Sequence, residues 1–309
     1  MGASLIVPLG LGAGLEPKAG IMRLNTVAGL HLSDLKRRVN HKTVQQRRYI
    51  LEAFIAHLGG DMAVKAVGRK HVEDWAFSQE VAPGTLRMRF NVIRGLFRFA
   101  QDRRWISHLP TDGIILPRVP RRQPRALTYQ DLMALDRVLP DARSRLIIAL
   151  GINEGLRRVE IARLELSDVD TLNMTLRVLT AKSGTEDSIP LTADTFGWLK
   201  AYMPDRGNVP GPLIQSQRGR GGITADAIGN MAAKWMKAAG IKGAAFDGTS
   251  LHACRHTMAM NMLAHGAPIE TISIGLRHAD LSSTFTYLRP VRNVEAMRPW
   301  MGHRLKEAG

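Results

Sequence analysis

The sequence predicts a mainly α-helical fold with a small β-sheet (α+β), divided into a helical N-terminal region and a larger second region. Apolar residues recur at helical spacing on both sides of a break rich in proline and arginine, residues 106–125. A short pair of β-type segments interrupts the helices of the second region. The chain has 309 residues and is 45% hydrophobic, which is enough for two ordinary cores.

The charge balance points to a polyanionic partner. Lysine and arginine total 43 against 27 acidic residues, which gives a formal net charge of +16. Such an excess repels itself in the folded state and favours binding to nucleic acid. An anionic membrane surface and a merely solvated basic surface are the alternatives that charge alone leaves open.

Residues 1–22 are expected to form a flexible arm, because glycines and Pro8 interrupt their short apolar runs. They lack the early basic residue of a signal peptide and are too short for a membrane span. Cys254 is the single cysteine, so no intramolecular disulfide can form and a reducing compartment is favoured. These features predict a cytoplasmic protein that is not embedded in a membrane.

The N-terminal region carries two clear helical patterns. Residues 43–58 form the first, ended by the glycine pair at 59–60. The second has one apolar stripe, formed by Leu86, Phe90, Ile93, Phe97 and Ala100. A polar, cationic stripe lies beside it, formed by Arg87, Asn91, Arg94 and Arg98. The cationic stripe is either a solvated face or a contact to a nucleic-acid backbone.

The break at residues 106–125 predicts an extended, semi-rigid connection. Its prolines are Pro110, Pro117, Pro120 and Pro124. The basic residues among them include Arg118, Arg121 and Arg122. Both a connection between two DNA-holding domains and an ordinary surface linker have this composition.

The second region is predicted to alternate helices with a hairpin. The predicted helices are 128–139, 141–154, 192–203, 224–239, 251–265 and 269–277. Between the second and third, β-type segments at 174–178 and 188–191 flank an exposed Lys182.

His252 and Arg255 are three residues apart and share one face of a predicted helix, at the edge of the core. Ser250 is the expected N-cap, so the helix dipole favours an anion there and a neutral His252. The alternatives are a histidine bonded to backbone and an arginine in a salt bridge. His252 and His256 have metal-ligand spacing, but no glutamate follows His252 and no cysteine pair lies nearby, so no metal is expected.

Two further segments carry chemistry. Arg157 lies near a helix start, where a guanidinium suits phosphate oxygens, and Glu160 stands three residues on and can orient it. An interhelix salt bridge is the alternative for this arginine. Tyr287 follows His278 across a short, hydroxyl-rich turn, and a tyrosine needs such help to act as a nucleophile.

Together and in this order, these segments resemble the tyrosine recombinase (phage integrase) family. Its members share a Gly-Leu-Arg-x-x-Glu box, a hairpin lysine, a His-x-x-Arg-His box, and a Leu-Gly-His box with a tyrosine nine residues after the histidine. The matching positions here are Gly155, Leu156, Arg157, Glu160, Lys182, His252, Arg255, His256, His278 and Tyr287. The resemblance covers roughly residue 126 to the C-terminus and extends less specifically to the N-terminal helices.

The resemblance implies a helical core-binding domain at 23–105, a basic linker at 106–125 and a catalytic domain at 126–309 with a C-terminal helix. It also implies a site-specific recombinase that cuts and rejoins DNA through a 3′-phosphotyrosyl bond, without metal or cofactor. The implied roles are nucleophile for Tyr287, phosphate binding for Arg157, Arg255 and His278, general acid for Lys182, proton acceptor for His252, and support for Glu160.

The implied partner is double-stranded DNA, bound as a tetramer on paired sites or together with partner recombinases, on the cytoplasmic nucleoid. The expected DNA contacts are Arg87, Arg94, Arg98, Arg118, Arg121 and Arg122. Integration, excision, resolution or transposition of a mobile element is the implied role. The alternatives are a type IB topoisomerase-like activity, a noncleaving DNA-binding member of a recombinase set, and a basic nonenzymatic scaffold.

Three positions depart from the family pattern. Arg277 replaces the glycine of the Leu-Gly-His box, and its added charge is expected to touch DNA or to perturb the turn. Arg158 stands beside Arg157, and the Gly-Leu register favours Arg157 as the phosphate ligand. Asp187 stands in the hairpin where the family often has a basic residue.

Overall fold

The computed structural model describes residues 21–119, 125–179, 186–217, 221–242, 250–278 and 284–285. The chain forms two compact units that divide between residues 121 and 122. Within the described ranges, the fold is mainly helical. The three-stranded antiparallel sheet lies in the second unit. The predicted fold class is therefore confirmed.

The N-terminal unit is helical throughout its described part. Its helices are α1 (Leu24–Leu35), α2 (His41–His57), α3 (Arg69–Phe77) and α4 (Pro83–Asp102), with a 3-10 turn at Val64–Ala66. Helix α2 begins two residues earlier than predicted, because the Asn40 side chain accepts from the Thr43 amide and caps it. The apolar stripe of α4 is buried, as predicted. Phe54 lies edge-on to Trp75 and Phe97 in the same core.

The predicted linker begins too early. Ile114 is buried in the core of the N-terminal unit, and Ile106, Leu109 and Leu116 pack against that core. Apolar residues alternate with the prolines here, and burying them holds the segment against the helices. The packed part therefore extends to residue 116, whereas prolines alone suggest an extended connection from residue 106.

The C-terminal unit contains the remaining elements. In the described residues these are α5 (Tyr129–Val138), α6 (Ala142–Ile152), α7 (Arg158–Arg163), β1 (Val169–Asp170), β2 (Thr175–Leu179), β3 (Glu186–Pro190), α8 (Ala193–Arg206), α9 (Ala225–Ala238), α10 (Leu251–Ala264) and α11 (Ile269–Gly275). A 3-10 turn spans Leu166–Asp168. Four of these helices start where a side-chain oxygen accepts from the third residue of the helix; the caps are Thr128, Asp141, Thr192 and Thr224.

Buried and exposed side chains alternate along strands β2 and β3 of the sheet. Its order is β1-β2-β3, and Val178 pairs with Asp187 in the hairpin between β2 and β3. Leu176, Val178 and Ile189 point into the core, while their neighbours point outward. Strand β1 is too short to be recognised from its sequence. Lys182, at the predicted tip of this hairpin, lies outside the described residues.

Close packing of α6 against α10 positions the candidate site. A Cβ atom on Gly151 of α6 would lie 3.1 Å from Cβ of Cys254 and 3.2 Å from Cδ1 of Leu251. Glycine therefore lets the start of α10 approach the turn that follows α6. No described helix combines the length and the apolar run needed to cross a bilayer.

Candidate active site

The Gly-Leu-Arg-x-x-Glu segment forms a turn and a capped helix start. Gly155 adopts a φ of 61°, a conformation that favours glycine. Leu156 is fully buried and anchors the turn. Arg157 is the N-cap of α7: its amide donates to Oε2 of Glu160 at 2.8 Å and its Nη1 donates to Oε1 at 2.7 Å. Glu160 thus orients Arg157, as predicted.

Arg158 also lines the cleft that contains Arg157, but it pairs with a different carboxylate. Its guanidinium lies 3.5 Å from the carboxylate of Asp226, and half of its side chain is exposed. Arg157, by contrast, is held against Glu160, whose side chain is fully buried. The pairing with the buried Glu160 therefore distinguishes Arg157 from Arg158, in line with the sequence register.

Helix α10 places His252 and Arg255 in very different environments. Ser250 caps the helix through the His252 amide, as predicted. His252 in the first turn is partly exposed, whereas Arg255, one turn later, is only 1% exposed. The prediction that the pair lies at the edge of the core is wrong for Arg255. Its guanidinium can be buried because it donates to the carbonyls of Gly155 and Leu276.

The turn after α11 carries Arg277 and His278. Arg277 adopts a φ of 50°, and only 2% of its side chain is exposed. It donates to Oε2 of Glu160 at 3.0 Å and to the Gly155 carbonyl at 3.0 Å. The expectation that this charge touches DNA is therefore wrong, because the side chain turns into the protein towards a buried carboxylate.

His278 is held by a hydroxyl group of the following segment. Its Nδ1 lies 2.8 Å from Oγ1 of Thr284, and Thr284 is fully buried. This contact fixes the ring of the half-buried histidine beside the arginines. Tyr287, three residues beyond Thr284, lies outside the described residues.

Arg157, His252 and Arg255 share one cleft of about 390 Å³. Gly229, Asn230 and Ser250 are among the other residues that line it. Glu160 lies buried beside the arginines, with its Oε2 4.0 Å from Nη1 of Arg255. The structure thus brings together four of the predicted site residues, with His278 on the adjoining turn. Such a cleft suits a phosphate group.

The charges in the site act on the titratable groups. Withdrawal of the ring from water lowers the pKa of His252, and Arg255, His256 and Arg157 lower it further. Burial acts to raise the pKa of Glu160, but Arg277 and then Arg157 outweigh burial, so the net pKa is lowered. The site therefore favours a neutral His252 and an ionised Glu160 at neutral pH.

The predicted DNA-contacting arginines of α4 and the following segment are only partly available. Arg87, Arg98 and Arg118 are exposed. Arg87 also donates to the Pro117 carbonyl at 3.2 Å. Arg94 is half-buried, and its guanidinium lies 5.1 Å from the ring centre of Phe90. Arg121 and Arg122 lie outside the described residues.

Two buried charged residues, Glu154 and Arg206, make hydrogen-bond networks that the sequence pattern does not indicate. Glu154, directly before the Gly-Leu-Arg box, accepts from the amide and hydroxyl of Thr192 and from the hydroxyl of Thr195. Arg206 donates to five backbone carbonyls between residues 207 and 213. An acidic residue before the glycine is the available signal for Glu154, and nothing in the pattern indicates Arg206.

The described part of the chain contains no cluster of three histidine, cysteine, aspartate or glutamate side chains that could hold a metal ion. His252 is exposed, whereas His256 is only 2% exposed. The two histidines therefore do not face a common solvent-accessible site despite their spacing.

The fold and this arginine site are those of a known protein family. The phage integrase family model matches residues 126–293, more than half of the chain, and the chain belongs to this family of tyrosine recombinases. A tyrosine recombinase XerC from Chlamydia muridarum is 30% identical over 213 residues, which cover 66% of this chain and 66% of the relative. The chain thus spans about two thirds of the length of that relative.

Another relative and a solved structure extend the comparison. A putative integrase/recombinase, y4qK from Sinorhizobium fredii, is 26% identical over 247 residues, which cover 78% of this chain and 76% of the relative. The structure of a lambda integrase(75–356) dimer bound to a COC′ core site superposes with a TM-score of 0.73. It covers 86% of this chain and 95% of that chain at 17% identity, so the likeness concerns the fold.

Proposed function

We propose that this protein is a site-specific DNA recombinase that cuts and rejoins double-stranded DNA through a 3′-phosphotyrosyl bond at Tyr287. The observation that carries the proposal is the convergence of Arg157, Arg255 and His252 on one cleft, with the buried Glu160 beside them. Family membership supports the same chemistry. The biological role is integration, excision, resolution or transposition of a mobile element.

Arg157 and Arg255 bind the two non-bridging oxygens of the scissile phosphate. Both guanidiniums stay charged, and their positions are set by Glu160 and by backbone carbonyls before DNA arrives. Charge grows on those oxygens as the pentacoordinate phosphorus forms. Fixed donors therefore stabilise the transition state without reorganisation. His278, on the adjoining turn, completes the phosphate contacts.

The hydroxyl oxygen of Tyr287 attacks phosphorus and its proton passes to His252. Burial of the ring and then the surrounding positive charge lower the pKa of His252, which keeps it neutral. The bond from phosphorus to the 5′-oxygen breaks, and Lys182 protonates that oxygen. A 5′-hydroxyl from a partner strand then attacks the phosphotyrosine and releases Tyr287. The bond energy is conserved, so the reaction needs no nucleotide cofactor.

We assign DNA-backbone binding to the N-terminal unit as its core-binding domain. The exposed Arg87 and Arg98 lie eleven residues apart on α4, about three turns, which places them on one face of the helix, and Arg118 is exposed as well. Removing one arginine that neutralises a phosphate should reduce the salt dependence of binding by about one counterion. Arg98→Ala should therefore make the negative slope of log affinity against log salt shallower by about 0.9, whereas Lys65→Ala, outside the stripe, should leave it unchanged.

The same proposal places the protein on cytoplasmic DNA, as a tetramer on two sites or as one member of a recombinase set. Once the trapping experiment described below has revealed the target site, sedimentation of the protein on a duplex that carries this site distinguishes these assemblies. A tetramer formed by this chain alone supports self-sufficient exchange, and a dimer that awaits a second recombinase supports the set.

Covalent trapping tests the proposal. Nicked, fragmented DNA from the source organism is incubated with wild-type protein, with Tyr287→Phe and with Tyr129→Phe. Tyr129 is an exposed tyrosine at the start of α5 and provides a matched control. DNA that remains attached after denaturation is sequenced, which also reveals the target.

Attachment to wild type and Tyr129→Phe, but not to Tyr287→Phe, is the expected result. Attachment to all three moves the nucleophile to another residue. Attachment to none, with specific binding retained, supports a noncleaving DNA-binding member instead. Relaxation of supercoiled plasmid without strand exchange supports the type IB topoisomerase-like alternative.

Arg157→Ala separates cleavage from binding. The side chain of Arg157 is 36% exposed, so its truncation should leave the fold intact. Cleavage should fall by at least about 100-fold, as for removal of one oxyanion donor, with little change in DNA affinity. Equal losses of both would contradict the assigned role.

A further inference from the structure

Arg277 occupies a backbone conformation that ordinary residues avoid. Its φ of 50° lies in the left-handed region, where a Cβ atom is crowded by the backbone. The conformation ends α11, with the Arg277 amide donating to the Ile274 carbonyl and the His278 amide to the Ser273 carbonyl. Glycine satisfies this backbone equally well, so side-chain contacts must compensate for an arginine here.

Those contacts join three separate segments. Nη2 of Arg277 donates to Oε2 of Glu160 and to the Gly155 carbonyl, both at 3.0 Å. Nη1 donates to the Gly275 carbonyl at 2.9 Å. The guanidinium therefore links the turn after α6, the first turn of α7 and the turn after α11.

The turn that Arg277 holds also receives both phosphate-binding arginines. Nη2 of Arg255 donates to the Leu276 carbonyl, and Nη2 of Arg157 lies 3.5 Å from the Arg277 carbonyl. His278 is the next residue. Movement of this turn would therefore displace three of the groups to which the proposed function assigns phosphate contacts.

Arg277 lies closer to the buried carboxylate of the site than Arg255 does. Oε2 of Glu160 is 3.0 Å from Nη2 of Arg277 but 4.0 Å from Nη1 of Arg255. The Glu160 carboxylate is thus matched mainly by Arg277 and Arg157. Arg277 therefore supplies a large part of the positive charge that keeps Glu160 ionised within the protein.

We propose that Arg277 is a positioning residue for strand cleavage, which clamps the 276–278 turn to Glu160 and Gly155 and so fixes Arg255 and His278 for the scissile phosphate. This inference rests on the proposed function. It assigns a catalytic effect to a side chain that reaches neither the DNA nor the reacting atoms.

The test uses Arg277→Met, Arg277→Gly and Arg277→Lys in the full-length protein. Methionine keeps volume without charge, and glycine relieves the backbone while removing the clamp. Arg145→Met is the matched control, since Arg145 likewise donates to one carboxylate, of Asp136, and to backbone carbonyls, but outside the cleft. Single-turnover cleavage at saturating DNA and DNA affinity are measured separately.

Arg277→Gly and Arg277→Met should reduce the cleavage rate by about 10- to 100-fold, the range for misplaced catalytic groups, and change DNA affinity by less than about threefold. Arg277→Lys should recover part of the rate. Arg145→Met should cleave as wild type does. Wild-type cleavage by Arg277→Gly, or equal losses of rate and affinity, would overturn the proposal.

A second readout does not depend on activity. Titration of the Glu160 carboxyl by ¹³C NMR should show a raised pKa in Arg277→Met and an unchanged pKa in Arg145→Met. If Glu160 titrates identically in wild type and Arg277→Met, the clamp is absent. If the Glu160 pKa shifts as expected but wild-type protein never links to DNA, the proposed function fails while the contact itself is upheld.

Discussion

Replacing Gly155 with alanine is expected to destabilise the C-terminal unit by about 2–3 kcal/mol, from two separable effects. The φ of 61° costs an alanine roughly 1–2 kcal/mol. The new Cβ would also lie 2.3 Å from Sδ of Met258, so that side chain must move. Met258 is half-buried and flexible, which places its displacement at the lower end of the usual overpacking cost of about 1–3 kcal/mol.

Urea denaturation followed by circular dichroism measures the change, provided that the m-value stays constant. Gly197→Ala is the control, because Gly197 lies within α8, has no positive φ, and would have no atom within 4 Å of an added Cβ. Alanine there should stabilise by about 0.5–1 kcal/mol.

A double-mutant cycle with Met258→Ala isolates the overlap. Removing the Met258 side chain should recover about 1 kcal/mol or more of the Gly155→Ala penalty. Strict additivity of the two changes would refute the overlap. A Gly155→Ala variant as stable as wild type would refute the backbone strain as well.

Three further predictions concern buried groups. Arg206→Lys should lower the free energy of unfolding by about 2–4 kcal/mol in urea denaturation, because an ammonium group cannot replace a planar guanidinium bonded to five carbonyls. The same change at the exposed Arg163 should leave the free energy of unfolding almost unchanged. Equal effects at the two positions would refute the role assigned to the guanidinium of Arg206. Burial raises the pKa of Glu154 above 4.5, so its contribution to stability is greatest at low pH and is lost as pH rises through the folded pKa. Glu154→Gln should remove this loss, and parallel melting-temperature profiles from pH 4.5 to 8 would contradict it. Burial raises the pKa of Cys254 to about 12, so a thiol reagent should label it only after unfolding, and labelling of the native protein would refute its burial.

The starts of α5, α6 and α10 could be predicted because local chemistry determines them, whereas α1 and α3 are not predicted from the sequence. Thr128 and Asp141 cap α5 and α6 where the sequence places polar residues before apolar stripes. Ser250 caps α10 in the same way, which fixes His252 in the first turn. The reach from Glu160 to Arg157 is likewise set by a spacing of three residues within one helix start.

The depth of the arginines could not be predicted, because it depends on the direction of distant backbone carbonyls. Arg255 can be buried because it donates to the carbonyls of Gly155 and Leu276, which are remote from it in the chain. Arg277 is buried by Glu160 and Gly155, whereas a charged residue in a turn normally suggests exposure. The order of side chains in the sequence does not indicate the direction in which distant carbonyl groups point.

Short elements and packed coil escape prediction for another reason. Strand β1 has two residues, and its pairing with β2 depends on tertiary contact rather than on its own alternation. Prolines dominate the pattern of the segment 106–116 and therefore indicate a linker. Its apolar residues, such as Ile114, nevertheless supply enough contact to hold it against the N-terminal core.

Peptide mapping of the trapped protein–DNA complex tests the assignment of Tyr287 as the nucleophile most directly. Nuclease treatment followed by trypsin should release the peptide 278–292, because trypsin cleaves after Arg277 and after Arg292 but not after Arg289, which precedes a proline. We expect this peptide to carry one phosphodiester-linked nucleotide remnant, located by fragmentation on Tyr287. A remnant on any other tyrosine, or on a serine or threonine of the same peptide, would contradict the assignment.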